Sequence, residues 1–204
     1  MKKIVFIIII LLIGGILGYY FGYDTGYEKA INSTNNVMEK TNEGVKQIME
    51  NVTSQEAMYY ENVKGFMASP KEDGKYPGLI LIHEWWGLND NIKDFAKRFA
   101  QKGYVTLAVD LYEGKSATTP EEAQKLAGAV SNDLDGAFKN LKSAVEYLKK
   151  HPKVQSETLA SVGWCFGGGW SYQMAKNDMG INASIMYYGR FSPKDDLSHM
   201  KTMI

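Results

Sequence analysis

The chain from Met58 onward alternates between two patterns of hydrophobic residues. Short continuous apolar runs, such as Gly78 to Ile82, are typical of strands that are buried on both faces of a sheet. Longer runs with apolar residues at helical spacing, such as Asn91 to Lys102, indicate amphipathic helices. The strands are predicted over 63–68, 78–82, 104–109, 159–162 and 183–187, and the helices over 91–102, 120–130, 133–150, 169–176 and 194–200.

This alternation predicts an α/β domain over 58–204. A helix that crosses over between two strands leaves them parallel, so we expect a mostly parallel sheet with helices on both faces. In sheets of this kind the chemistry lies at the carboxyl ends of the strands. Residues that directly follow a predicted strand are therefore the first candidates for function.

A different pattern occupies residues 1–27. Lys2 and Lys3 are followed by Ile4 to Tyr23, twenty residues without a charge. Twenty residues of helix span roughly 30 Å, the thickness of the hydrocarbon core of a bilayer. We predict an N-terminal transmembrane helix with the lysines on the cytoplasmic side and the α/β domain outside the cytoplasm. The alternative is a signal segment that is cleaved to leave a secreted protein.

Residues 28–57 are polar and predict a linker or stalk helix between the two regions. Over the whole chain, 23 Lys and Arg residues balance 23 Asp and Glu residues. Without a basic excess, we expect no nucleic-acid partner. The sequence contains one cysteine, Cys165, so no disulfide can form within the chain.

That cysteine lies in the first motif that carries chemistry, Gly163-Trp164-Cys165-Phe166-Gly167. The motif follows one predicted strand and leads into a helix, and it matches the nucleophile elbow with Cys in place of Ser. We predict Cys165 as the nucleophile, since the helix N-terminus favours a thiolate. The backbone N–H of Phe166 is predicted to face the oxyanion. The alternative is a glycine-rich turn with an incidental cysteine.

The second motif, His83-Glu84-Trp85-Trp86-Gly87-Leu88-Asn89, directly follows the strand 78–82. The backbone N–H of Trp85 is predicted to complete the oxyanion hole. Glu84, which is followed by two tryptophans, is a candidate for proton exchange because an apolar setting raises the pKa of a carboxyl group. The alternative is a surface glutamate in a loop. His83-Glu84 begins like a zinc-binding H-E-x-x-H motif, but position 87 is glycine, so we expect no metal.

These motifs resemble the dienelactone hydrolase family. The similarity runs from Val63 to Ile204 and rests on four stretches in the expected order. They are the His83–Asn89 motif, Asp110-Leu111-Tyr112, the elbow, and Tyr187-Tyr188-Gly189.

The resemblance implies an α/β-hydrolase fold with a Cys-His-Asp triad and no cofactor. It also implies that Glu84 contacts the resting Cys165 and takes its proton when substrate binds. The thiolate would then attack an ester or lactone carbonyl, and water would hydrolyse the acyl-enzyme.

Two departures from the family pattern bear on function. In the family, the Asp and His of the triad follow two later strands, whereas this sequence ends at Ile204. We therefore expect an incomplete domain. Neither His199 nor His151 is assigned to the triad. The family also has an arginine after Asp-Leu-Tyr that binds a substrate carboxylate, and here Lys115 is the candidate.

The sequence therefore predicts a carboxymethylenebutenolidase-like hydrolase that acts on a small ester or lactone. Two other classes stay open at this point. One is a membrane-tethered binding protein that keeps the fold without turnover, and the other is a thioesterase or acyltransferase that uses the same cysteine.

Overall fold

The computed structural model describes residues 33–37, which are helical and exposed, and residues 51–204, which belong to a separate compact unit. The six strands of this second unit are β1 (Val52–Tyr60), β2 (Val63–Pro70), β3 (Tyr76–Ile82), β4 (Val105–Val109), β5 (Val154–Trp164) and β6 (Ala183–Tyr187). Its four helices are α1 (Asp90–Gln101), α2 (Pro120–Asn132), α3 (Leu134–Lys150) and α4 (Phe166–Lys176).

The strands form one sheet in the order β1-β2-β4-β3-β5-β6. The β1–β2 and β2–β4 pairs are antiparallel, and the β4–β3, β3–β5 and β5–β6 pairs are parallel. The sheet is mixed, with three parallel and two antiparallel pairs, and is consistent with the predicted α/β class. Ile82 pairs with both Val109 and Gly163, so the carboxyl ends of β3, β4 and β5 lie side by side.

Helices cover both faces of this sheet because the central strands bury alternate side chains on opposite sides. Ile80 and Ile82 of β3 belong to a core cluster with residues of α3 and α4. Leu79 and Leu81 belong to a second cluster with residues of α1. Helix α2 begins as its sequence indicates, with Pro120 in the first turn and a reciprocal capping box between Thr119 and Glu122.

Strand β1 was not predicted, since its residues fall mostly within the segment 28–57 that was expected to be a linker. Four of its residues, 53–56, are polar and exposed, and only Val52, Ala57 and Tyr59 are buried. β1 is the edge strand of the sheet and pairs with β2 alone. An edge strand needs few apolar residues, so the hydrophobic pattern that identifies central strands was too weak here.

The predicted helix over 194–200 is wrong, and these residues form turns. The carboxylate of Asp196 accepts the backbone N–H of Ser198 at 2.9 Å, a local bond that competes with helix formation. Asp195 is held instead by α4, where it accepts the Tyr172 hydroxyl and the Lys176 ammonium group, both at 2.7 Å.

The membrane prediction also needs correction. Within residues 33–37 and 51–204, no helix has the length and apolar character that crossing a bilayer requires. The predicted transmembrane helix of residues 1–27 lies outside the described residues. The described fold is an α/β domain, and the predicted single-pass location with the domain outside the cytoplasm is not supported.

Candidate active site

Cys165 lies at the sharp turn between β5, which ends at Trp164, and α4, which begins at Phe166. Its backbone angles are φ 55° and ψ −116°, in a region that a residue with a side chain seldom adopts. The thiol is partly exposed, forms no disulfide and does not cap the helix. This strained strand–turn–helix geometry supports the predicted elbow, and the role of the sulfur stays a prediction.

Glycine is required on both sides of this turn by close backbone contacts. A Cβ atom at Gly163 would overlap the backbone of Gly167. A Cβ atom at Gly167 would overlap the carbonyl oxygens of Ile82 and His83, at the end of β3. The first turn of α4 therefore lies directly against the backbone that leads into the His83–Asn89 motif.

We expect Gly167→Ala to lower the free energy of unfolding by about 3 kcal/mol, because the added methyl group has no space in this contact. The matched control is Gly128→Ala on α2, where an added Cβ meets nothing within 4 Å. The control is expected to raise stability by roughly 0.5–1 kcal/mol through helix propensity. Urea unfolding followed by circular dichroism measures both variants, and equal stabilities would contradict the close contact.

His83 connects the ends of β3 and β4 and is fully buried. Its Nδ1 lies 2.6 Å from the carbonyl oxygen of Glu84, so this nitrogen carries the proton and donates it. Its Nε2 accepts the backbone N–H of Leu111 at 3.2 Å. Burial lowers the pKa of His83, and both ring nitrogens are already bonded. The structure therefore gives His83 a structural role at the floor of the site.

The Glu84 carboxylate points toward the end of β6. Its Oε1 accepts a hydrogen bond from the Tyr188 hydroxyl at 2.8 Å, and this bond raises the pKa of Tyr188. The residue before it, Tyr187, accepts the backbone N–H of Cys165 at 3.0 Å. Within residues 51–204, no hydrogen bond joins Glu84 to the sulfur. The Glu84 partner in this structure is Tyr188, whereas the family resemblance implied the resting cysteine.

The sequence gives Tyr188 no predicted role, although the Tyr187-Tyr188-Gly189 stretch contributes to the family resemblance. The available signal was position, because Tyr188 directly follows a predicted parallel strand and the carboxyl ends of such strands share one edge.

The two predicted oxyanion donors lie on the two segments that meet at this edge. The N–H of Phe166 is the first of α4 and by position has no acceptor within the helix. The carbonyl oxygen of Trp85 accepts a hydrogen bond from the Tyr112 hydroxyl at 3.1 Å, and this bond fixes the carbonyl group of Trp85. Burial raises the pKa of Tyr112, and the nearby Cys165 and Asp110 raise it further.

Lys115 lies in a different place from the one that its predicted role suggests. It lines a cavity of about 160 Å³ beside α2 and α3, and neither Cys165 nor Glu84 lines that cavity. Tyr112 lines the cavity and also lies close enough to Cys165 to be affected by its charge. Tyr112 is therefore a residue that lies near the thiol and also lines the cavity of Lys115.

The two remaining histidines occupy helix ends. His199 contacts the carbonyl oxygen of Lys176 at the C-terminus of α4, 3.1 Å away, and His151 caps the C-terminus of α3. Burial lowers the pKa of His151, and Lys153 and Lys75 add to this. In the part of the chain that the structure describes, no three His, Cys, Asp or Glu residues are grouped so that they could hold a metal ion.

A mixed α/β sheet with a strained thiol turn at the carboxyl edge of its parallel strands is the architecture of the α/β hydrolases. The sequence model of the dienelactone hydrolase family matches residues 63–203, and the chain belongs to this family.

Individual relatives agree with this assignment. The protein named "Protein usf" of Aquifex pyrophilus is 41% identical over 132 residues, which are 62% of this chain and 56% of that protein. The protein named "Putative carboxymethylenebutenolidase" of Aquifex aeolicus strain VF5 is 33% identical over 132 residues, with the same 62% and 56% coverage. The chain therefore spans about half the length of the curated relatives it matches.

Among solved structures, the one titled m3DLH superposes with a TM-score of 0.63 at 25% identity. The match covers 70% of this chain and 62% of that chain.

Proposed function

We propose that this chain carries the nucleophile-bearing part of a hydrolase that cleaves small esters or lactones through Cys165. The observation that carries the proposal is the turn at Cys165, where a residue with a side chain adopts a φ of 55° at the start of a helix. Backbone strain of this kind persists only where surrounding packing enforces it, and it is concentrated at functional sites. Membership of the dienelactone hydrolase family supports the same chemistry.

In the proposed reaction, the Cys165 thiol gives its proton to Glu84, and the sulfur attacks the carbonyl carbon of the substrate. A C–S bond forms while the carbonyl electron pair moves onto oxygen, where the N–H groups of Phe166 and Trp85 stabilise the charge. Collapse of this intermediate breaks the C–O bond of the ester and releases an alkoxide, which takes up the proton that Glu84 received from the thiol. Water then cleaves the thioester and regenerates the thiol.

The substrate class follows from the family and from the position of Lys115. The Aquifex aeolicus relative is named "Putative carboxymethylenebutenolidase", and a butenolide is an unsaturated lactone, so a lactone is our first candidate. A substrate carboxylate would bind Lys115 if the molecule extended from Cys165 into the cavity that Tyr112 and Lys115 line. This proposed chemistry needs no cofactor, because thiolate attack on an ester requires none.

The direct test is to trap the acyl-enzyme. The full chain is mixed with p-nitrophenyl acetate, and we expect a burst of nitrophenolate that approaches one equivalent, together with an acetyl group on Cys165 by mass spectrometry. A δ-valerolactone should acylate the same residue. Acylation by a thioester but by neither oxygen ester would favour the thioesterase or acyltransferase class. The absence of any adduct would favour a binding protein and contradict the proposal.

A further inference from the structure

Tyr188 makes a contact that the proposed reaction does not use. Its hydroxyl donates to Oε1 of Glu84 at 2.8 Å, across a sequence separation of 104 residues. The Tyr188 side chain is 69% exposed, so it contributes little to the core. Its backbone φ is 41°, in the left-handed region that a tyrosine seldom adopts. An exposed aromatic residue held in a strained conformation against a single carboxylate needs an explanation.

The backbone on either side of Tyr188 is fixed to the elbow. The carbonyl oxygen of Tyr187 accepts the N–H of Cys165 at 3.0 Å. A Cβ atom at Gly168 in α4 would lie 2.6 Å from that same oxygen and 3.0 Å from the Cα of Gly189. The turn 187–189 therefore lies directly on the first turn of α4. The position of the Tyr188 hydroxyl is set by the same backbone that sets the position of the thiol.

We propose that Tyr188 is a positioning residue for Glu84, which it holds in the orientation that receives the Cys165 proton. This inference rests on the proposed function, in which Glu84 is the base. The hydrogen bond occupies Oε1, whereas Oε2 has no hydrogen-bond partner among residues 51–204. Tyr188 keeps its own proton while the thiol proton moves to Oε2. Fixing one carboxylate oxygen reduces the number of orientations that the Glu84 carboxylate adopts before it receives the proton.

The test is a double-mutant cycle with Tyr188→Phe and Glu84→Gln in the full chain. The readout is the rate at which iodoacetamide alkylates Cys165, which is unambiguous because the chain contains one cysteine. Tyr188→Phe keeps the exposed ring and removes only the hydroxyl. When Glu84 is present, we expect Tyr188→Phe to slow alkylation roughly 10-fold, because it removes one partly exposed hydrogen bond to a charged group. In the Glu84→Gln background we expect the same change to have no effect.

The matched control is Tyr147→Phe, which removes a hydroxyl on α3 that has no hydrogen-bond partner among residues 51–204. The control rate is expected to equal that of the unchanged chain. If Tyr188→Phe slows alkylation equally with glutamate and with glutamine at position 84, its role is structural and the inference fails. The inference also fails if Tyr188→Phe has no effect in either background.

The alkylation cycle and ester acylation together distinguish a failure of this inference from a failure of the proposed function. If esters leave no adduct but the alkylation cycle shows coupling, the hydrolase proposal fails and the positioning role stands. If esters acylate Cys165 but the cycle shows no coupling, the hydrolase proposal stands and Tyr188 is not a positioning residue.

Discussion

Replacing Cys165 with alanine is expected to abolish acylation by p-nitrophenyl acetate, with a loss of at least about 10⁴-fold in rate. No other thiol exists in the chain, so no neighbouring cysteine can substitute. Stopped-flow detection of nitrophenolate and intact-protein mass spectrometry measure this loss. Full retention of the burst would show that the acylated group is not the sulfur and would remove the basis of the proposed reaction.

Replacing Cys165 with glycine separates the effect of backbone strain on stability from the effect of the sulfur on activity. Alanine and glycine both remove the sulfur, but only glycine adopts a φ of 55° without steric cost. We expect the glycine variant to be more stable than the alanine variant by about 1 kcal/mol, and both to be inactive. A glycine variant that is inactive yet well folded excludes unfolding as the cause of the lost activity.

Replacing Glu84 with glutamine is expected to slow acylation by roughly 10²- to 10³-fold, the usual contribution of a positioned general base. The amide oxygen can still accept the Tyr188 hydroxyl, so the loop should keep its conformation. The amide cannot take the thiol proton, and this is the only change intended. Single-turnover kinetics with p-nitrophenyl acetate give the rate.

The control for this replacement is Glu56→Gln on β1. Glu56 is exposed and forms an ion pair with Lys64 at 3.0 Å, in the antiparallel hairpin at the edge of the sheet. Its loss is expected to leave the acylation rate unchanged. If Glu84→Gln also matches the unchanged chain, Glu84 is a surface glutamate in a loop, and another group receives the proton.

The part of the fold that could be predicted from the sequence is the part built from continuous apolar runs. Strand β6 occupies the predicted residues 183–187, and β3 and β4 match to within two residues at either end. β3 and β4 are buried on both faces along most of their length, so their composition alone distinguishes them. β6 is an edge strand, and its apolar run identifies it although Ile185 and Tyr187 are about half exposed. Strand β1 and the turns over 194–200 depend instead on edge pairing and on local side-chain bonds such as that of Asp196, which the hydrophobic pattern does not contain.

Part of the candidate site could likewise be predicted from the sequence, and part could not. The positions of Cys165 and Glu84 at strand ends follow from local sequence, because the glycine pattern and the apolar runs specify where each strand stops. The bond between Glu84 and Tyr188 joins residues 104 positions apart and depends on how β6 is placed against β5. Likewise, the orientation of Lys115 toward the cavity beside α2 depends on the turn after β4, where Asp110 accepts two backbone N–H groups.

The contact between α4 and the turn 187–189 has a consequence for how substrate breadth can change. On that side, backbone packs against backbone at Gly168 and Gly189, so neither position has room for a side chain. The rings of Trp85 and Trp86, in the motif that follows β3, are large and partly exposed, so their size can change. Divergence toward substrates with bulkier acyl groups is therefore expected at those two aromatic positions, while Gly168 and Gly189 stay fixed.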